Sequence, residues 1–199
     1  MLDKLTIIIT TYKRYGYLKR LLSFFSLYQS IPKLIILDSS PDYPKDPKLV
    51  KLLSQDNVNW VRYDSNIFFV KKISEGGIHI KTEFAVLCAD DDFLIPSALA
   101  KCIKFLSENH DFSSAHGLNF NHSSYESGFR RMALYLLNDK DLSSDSNNSG
   151  VRVNDYLLGK SGGGTPYYAV HRTLLFNLIW NETAKYISDQ GLSELFPCS

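Results

Sequence analysis

Cysteine is scarce in this 199-residue chain: Cys88, Cys102 and Cys198 are odd in number and show no metal-ligand spacing. That leaves neither an even-numbered disulfide framework nor a Cys-ligated zinc site, and it fits small core residues in a reducing compartment. Charge of one sign is also lacking. A net charge of +1 and a pI near 7.7 give no basic footprint for nucleic acid. No run approaches the roughly 20 apolar residues of a membrane span. Leu5 to Ile9 is too short for a signal-peptide core and follows Asp3. A soluble, cytoplasmic protein is expected, with peripheral membrane association left open. The glycine runs Gly76-Gly77 and Gly162 to Gly164 match neither G-x-G-x-x-G nor a P-loop. A dinucleotide dehydrogenase or an NTPase therefore loses its main support. Internal repeats are absent.

Aromatics are plentiful, at 13% with 12 Tyr and 12 Phe, and the length suits one ordinary domain with a proper core. Leu5 to Thr11 is continuous and β-branched, the pattern of a central parallel strand covered on both faces. Leu18, Leu21, Leu22 and Phe25 then form a helical stripe. Leu34 to Asp38 reads as a second buried strand, Lys48 to Ser54 as a helix and Val58 to Tyr63 as a strand. Val70 to Ile80 reads as a helix weakened by Gly76-Gly77, and Phe84 to Cys88 as a fourth strand. Leu99, Cys102, Ile103 and Leu106 mark another helix, with Ser97 as its expected cap region after Pro96. This alternation predicts an α/β fold with a parallel sheet. Beyond residue 110 the expectations are a strand over 112–120, a helix over 124–137 and a loop over 140–150. A turn at Gly162 to Pro166 follows, then an extended stretch to His171 and a helix through Leu174, Leu175, Leu178 and Ile179.

The four strand ends carry polar residues, and in a parallel sheet those ends share one edge. Thr10 to Arg14 follow the first, Asp38 to Ser40 the second, Asp64 to Asn66 the third, and Asp90, Asp91 and Asp92 the fourth. Three adjacent acids repel one another and need water or a cation. Hard carboxylate oxygens in such a place suit Mg²⁺ or Mn²⁺. A nucleotide there would use Asp38 for its base or ribose, Tyr12 for stacking, and Lys13, Arg14, Lys71 and Lys72 for phosphate. The bland readings are a solvated acidic turn, a turn aspartate and a solvated lysine face.

Three ordered blocks resemble the GT-A glycosyltransferases of the family 2 type, over about the first half of the chain. They are Thr6 to Arg14, Leu34 to Ser40 and Lys81 to Pro96, the last similar to the strand and D-x-D region of that family. The resemblance implies a GT-A, Rossmann-like sandwich with a mainly parallel central sheet flanked by helices. It implies a nucleotide-sugar-binding half over 1–110 and an acceptor-side half of the same domain over 111–199, curtailed at its C-terminus. Thr10, Tyr12 and Arg14 would line the nucleotide pocket, and Asp38 would hydrogen-bond the base. Asp91 would be the metal-proximal carboxylate, with Asp90 on the ribose side or assisting and Asp92 adjoining. Many relatives have Asp-x-Asp-Asp where this chain has Ala89-Asp90-Asp91-Asp92, which leaves open which two acids meet the Mn²⁺ or Mg²⁺. In the second half, Ser188 to Leu195 resembles the segment that carries the catalytic base, making Asp189 the candidate and Glu194 the reserve. Gly163, Gly164, Thr165 and Arg172 would face the acceptor, with Arg172 a phosphate partner.

The implied activity is transfer of one sugar from a nucleoside diphosphate sugar to a saccharide or lipid-linked acceptor hydroxyl. It would be metal-dependent, inverting and non-processive, and would serve surface polysaccharide synthesis. An inactive sugar-nucleotide-binding or scaffolding module is the alternative, and a nucleotidyltransferase is the third reading.

Overall fold

Leu5–Thr11 forms β1, in which Ile7 and Ile9 face one side of the sheet and Ile8 the other, as the two-residue strand period requires. All three are fully buried, so both faces must be covered. This computed structural model describes residues 1–124, 130–135, 144–158 and 168–188, with backbone alone for 119–124 and 130–135. After β1 come α1 (Tyr15–Phe25), β2 (Lys33–Asp38), α2 (Pro47–Leu53), β3 (Val58–Arg62), α3 (Phe69–Gly76), β4 (Phe84–Ala89) and α4 (Pro96–Glu108). Then follow β5 (Ser114–Ala115), β6 (Asn119–Ser124), β7 (Arg130–Tyr135), α5 (Ser149–Leu157), β8 (Val170–Arg172) and α6 (Thr173–Tyr186).

Among the described residues the main sheet has the order β3-β2-β1-β4-β8-β5. β1 to β4 are mutually parallel, and β8 joins antiparallel between β4 and β5. On one face, Ile7 and Ile9 pack with Leu18, Leu21 and Phe25 of α1, Leu49 of α2 and Leu99 of α4. On the other, Ile8 packs with Val70 and Ile73 of α3 and Phe176 and Trp180 of α6. Each such side chain taken out of water contributes roughly 1.5–3 kcal/mol, so the sheet is gripped between two apolar layers.

The glycine pair at the end of α3 is a packing device. A Cβ on Gly76 would stand 2.5 Å from a Leu37 methyl of β2, and one on Gly77 would stand 2.4 Å from the Asn177 amide oxygen of α6. Helix α3 ends there, and a 3₁₀ turn over Gly77–His79 takes the place of the last expected helical turn.

The second half departs from expectation in several places. Residues 130–135 are strand β7 rather than helix, paired antiparallel with β6 from Asn119↔Tyr135 to Ser124↔Arg130. The expected strand over 112–120 divides between β5 and β6, which lie in different sheets. Part of the expected loop over 140–150 is the start of α5, where the Asn148 side chain accepts from the amides of Gly150 and Val151. Helix α4 starts with Pro96 at its first position and Ile95 as cap residue, so Ser97 lies inside the helix. Helix α6 buries Phe176, Trp180 and Thr183, while Leu174 and Leu178 are exposed. Both faces of that segment are apolar, and packing against α3 selects the aromatic one. No helix among the described residues is long and apolar enough to cross a membrane.

Candidate functional site

The C-termini of β1 to β4 open on one edge in register: Thr11 lies beside Asp38, Asp38 beside Arg62, and Thr10 beside Ala89. In open α/β sheets this is where ligands bind. Asp38 and Asp90 flank the end of β1 on either side, and both are buried, at 0% and 2% exposure.

Asp38 is held by four donors. Its Oδ1 accepts the Ser40 amide at 2.8 Å. Its Oδ2 accepts from Arg62 Nη1 at 2.8 Å, the Tyr15 hydroxyl at 2.9 Å and Trp60 Nε1 at 3.1 Å. A buried carboxylate needs such partners. Arg62 also donates to the carbonyls of Ser40 and Asp42, and its guanidinium lies 4.5 Å from the centre of the Tyr43 ring. Asp38 therefore faces protein donors, and the exposed side chain there is Tyr43, which packs on the Arg62 guanidinium.

Lys72 differs from the solvated helix lysine of the bland reading. It is 4% exposed, and its Nζ donates to Ser39 Oγ at 2.9 Å and to the Thr11 carbonyl at 3.3 Å. Burial pushes the ammonium down to about 8, against the pull of Asp38 and Asp90. It is an internal cation that joins the ends of β1 and β2 from below. Lys71 points outward and lies 3.7 Å from Glu75.

The acidic triplet divides into three environments. Asp90 Oδ2 accepts the Thr11 hydroxyl at 2.7 Å, and Oδ1 lies 3.3 Å from Arg14 Nε. Burial raises the Asp90 carboxyl, while Thr11 and Arg14 pull it back. Asp91 Oδ2 accepts from Arg14 Nη2 at 2.5 Å, and its carbonyl accepts from Arg20 Nη2 at 2.9 Å. Asp92 is exposed, with Tyr168 hydrogen-bonded to it. One guanidinium thus bridges Asp90 and Asp91. Its position is set by the turn before α1, where Lys13 adopts φ 57° and gives its amide to Ser40 Oγ at 2.8 Å. The Tyr17 ring backs the guanidinium at 4.5 Å.

These donors fit a divalent ion in one specific sense. Among the described residues, no three or more His, Cys, Asp or Glu gather around one point. Mg²⁺ and its like are usually held by one or two carboxylates plus substrate phosphates. Asp90 and Asp91 supply two hard oxygens converging on a positive group, and Arg14 is the cation standing there.

Of the other expected residues, Tyr12 is exposed with Lys13 Nζ 5.0 Å from its ring centre, and Thr10 is half-buried next to the site. Arg172 corrects an expectation. It pairs with Phe84 at the opposite end of β4, and its guanidinium donates to the carbonyls of Phe112, Leu106 and Asn109. It fastens the end of α4 to β8 and lies away from the edge that carries Asp90. Gly163, Gly164, Thr165, Asp189 and Glu194 lie outside the described residues. Sequence reading missed Tyr15, Trp60 and Arg62. The signal for the last two was their i, i+2 spacing on a strand that ends at the shared edge.

No protein-family model and no curated protein sequence matches the chain. Solved structures do. Residues 1–349 of S. aureus TarS match with a TM-score of 0.60 at 15% identity, over 98% of this chain and 54% of that one. A longer S. aureus TarS structure matches with a TM-score of 0.51 at 17% identity, over 86% of this chain and 29% of that one. The chain spans about half the length of the shorter TarS structure and under a third of the longer. What these structures share with this chain is the fold, which here is a mostly parallel sheet between helical layers with the acidic loop at the edge where the parallel strands end. That architecture is the GT-A glycosyltransferase fold, and this chain has it.

Proposed function

We propose that this chain is a glycosyltransferase that takes a nucleoside diphosphate sugar and passes its sugar to an acceptor hydroxyl. The observation that carries the reading is one composite edge: Asp38 with Arg62 on one side of the β1 terminus, and Asp90 and Asp91 with Arg14 on the other. On this reading residues 1–110 form the donor-binding half, and the base stacks against Tyr12 or Tyr43. The cations Arg14 and Lys13 meet the diphosphate. Asp90 and Asp91 would hold a Mn²⁺ or Mg²⁺ ion, which when bound neutralises the charge that develops on the leaving diphosphate.

Residues 111–199 would belong to the acceptor side. Asp189 is the candidate base, taking the acceptor proton as the oxygen attacks, with Glu194 in reserve. General-base assistance of this kind contributes roughly 10²–10⁴-fold. A single displacement inverts the anomeric centre. A role in surface polysaccharide synthesis is part of the proposal and rests on the sequence resemblance.

The test is a thermal-shift screen of UDP-, GDP- and dTDP-sugars with Mn²⁺, followed by an assay for released nucleoside diphosphate with candidate acceptors. A metal-dependent rise in melting temperature that Asp91→Ala abolishes is expected. No shift with any donor would overturn the reading. A shift without release across a broad acceptor panel would favour the binding-module alternative.

A further inference from the structure

Arg14 is the residue whose position the proposed chemistry leaves least explained. It is nominally a cation for the substrate, yet its guanidinium is bound to both carboxylates that would hold a metal. Its surroundings keep it there. Tyr17 stacks behind it, and Arg20 donates to the Asp91 carbonyl while lying 5.2 Å from the Tyr17 ring and 5.1 Å from the Phe93 ring. The left-handed turn at Lys13, tied to Ser40, fixes the backbone from which Arg14 extends. Asp90 is nearly fully buried and also held by Thr11, so the two sides of the ion pair differ. Asp90 stays fixed, whereas Arg14 and Asp91, both about two-fifths exposed, have room to move.

We propose that Arg14 is a resident counter-cation that competes with the divalent ion for Asp90 and Asp91 and yields far more readily when a diphosphate arrives. This inference rests on the glycosyltransferase reading for its diphosphate half, and on Arg14 geometry alone for its metal half. Two cations cannot share the same carboxylate oxygens without repulsion, so a metal ion entering alone must displace the guanidinium into water. A diphosphate changes the balance, because it supplies both extra oxygens for the metal and a new anionic partner for Arg14. Metal and nucleoside diphosphate then bind cooperatively, and the acidic edge stays neutralised when the site is empty.

The experiment is a Mn²⁺ titration of the whole chain, read by the electron paramagnetic resonance signal of free Mn²⁺, with and without UDP or GDP. Wild type is expected to bind Mn²⁺ alone weakly and to bind it at least about tenfold more tightly with the diphosphate, within the usual range of coupling between two ligands. Arg14→Met is expected to bind Mn²⁺ alone about tenfold more tightly than wild type and to lose most of the coupling. Tyr17→Leu removes the backing ring but keeps the charge, so an intermediate gain is expected, and it serves if Arg14→Met does not fold. Asp91→Asn should abolish Mn²⁺ binding in either background. Equal or weaker binding of Mn²⁺ alone by both Arg14→Met and Tyr17→Leu overturns the proposal. Tighter Mn²⁺ binding by those variants, with no diphosphate binding by any protein, supports the competition at the carboxylates and instead refutes the glycosyltransferase reading.

Discussion

Replacing Lys72 with Met should change how stability responds to alkaline pH. The Lys72 ammonium is buried between two buried carboxylates, and desolvation outweighs their attraction, moving it from an ordinary 10.5 to about 8. At about 1.4 kcal/mol per pH unit, its charged form is about 3 kcal/mol less favourable in the folded chain than in the unfolded one. The sign follows from proton counting. Below pH 8 both states hold the proton and the penalty is constant. Between pH 8 and 10.5 the unfolded chain holds more of it, so raising the pH favours the folded state. Above 10.5 the gain is complete, and it is lost again as pH falls through 8. Other groups, such as the buried Cys88 thiol that burial pushes upward, titrate in both proteins and cancel in the comparison. Urea unfolding of wild type and Lys72→Met at several pH values from 7.5 to 10.5 should show wild type gaining up to about 3 kcal/mol on the variant. For a chain of this size that corresponds to roughly 6–12 °C in melting temperature. A constant offset between the two across that range would refute the reasoning.

Asp38→Asn leaves the Arg62 guanidinium facing a neutral amide in a largely buried setting and should cost about 3–5 kcal/mol; a loss below about 1 kcal/mol in urea unfolding would contradict the assigned anchor role. Arg172→Ala removes donors from three backbone carbonyls and should destabilise by about 2–4 kcal/mol. Nucleoside diphosphate affinity, measured by calorimetry below the melting point, should be unchanged in that variant, since Arg172 lies at the other end of the sheet. Lys13→Gly relieves a left-handed residue and should stabilise by about 0.5–1 kcal/mol in thermal unfolding, with a loss of stability arguing against the strain.

The first half of the chain was legible because its signals are local and agree with one another. β-Branched runs gave β1 and β2, the i, i+3, i+4, i+7 stripe gave α1, and Pro96 marked the start of α4. Parallel alternation alone places Thr11, Asp38 and Asp90 on one edge. The second half failed where a partner decides the outcome. Residues 130–135 became a strand because β6 lies alongside, and α6 turned its aromatic face inward because α3 offers an apolar surface there.

Composition and pattern by themselves determined the class of fold, the edge on which the polar strand ends gather and the residue types present. They did not determine which cation meets which carboxylate. Lys72 and Arg14 have equivalent charge in the sequence, yet one is buried beneath the β1 terminus and the other bridges the acidic pair. Arg172 looks like a binding residue and is a structural clasp. Charge is a property of the side chain, whereas its partner, its desolvation and its freedom to move depend on how far apart in sequence its neighbours lie, and only the packed sheet brings those neighbours together.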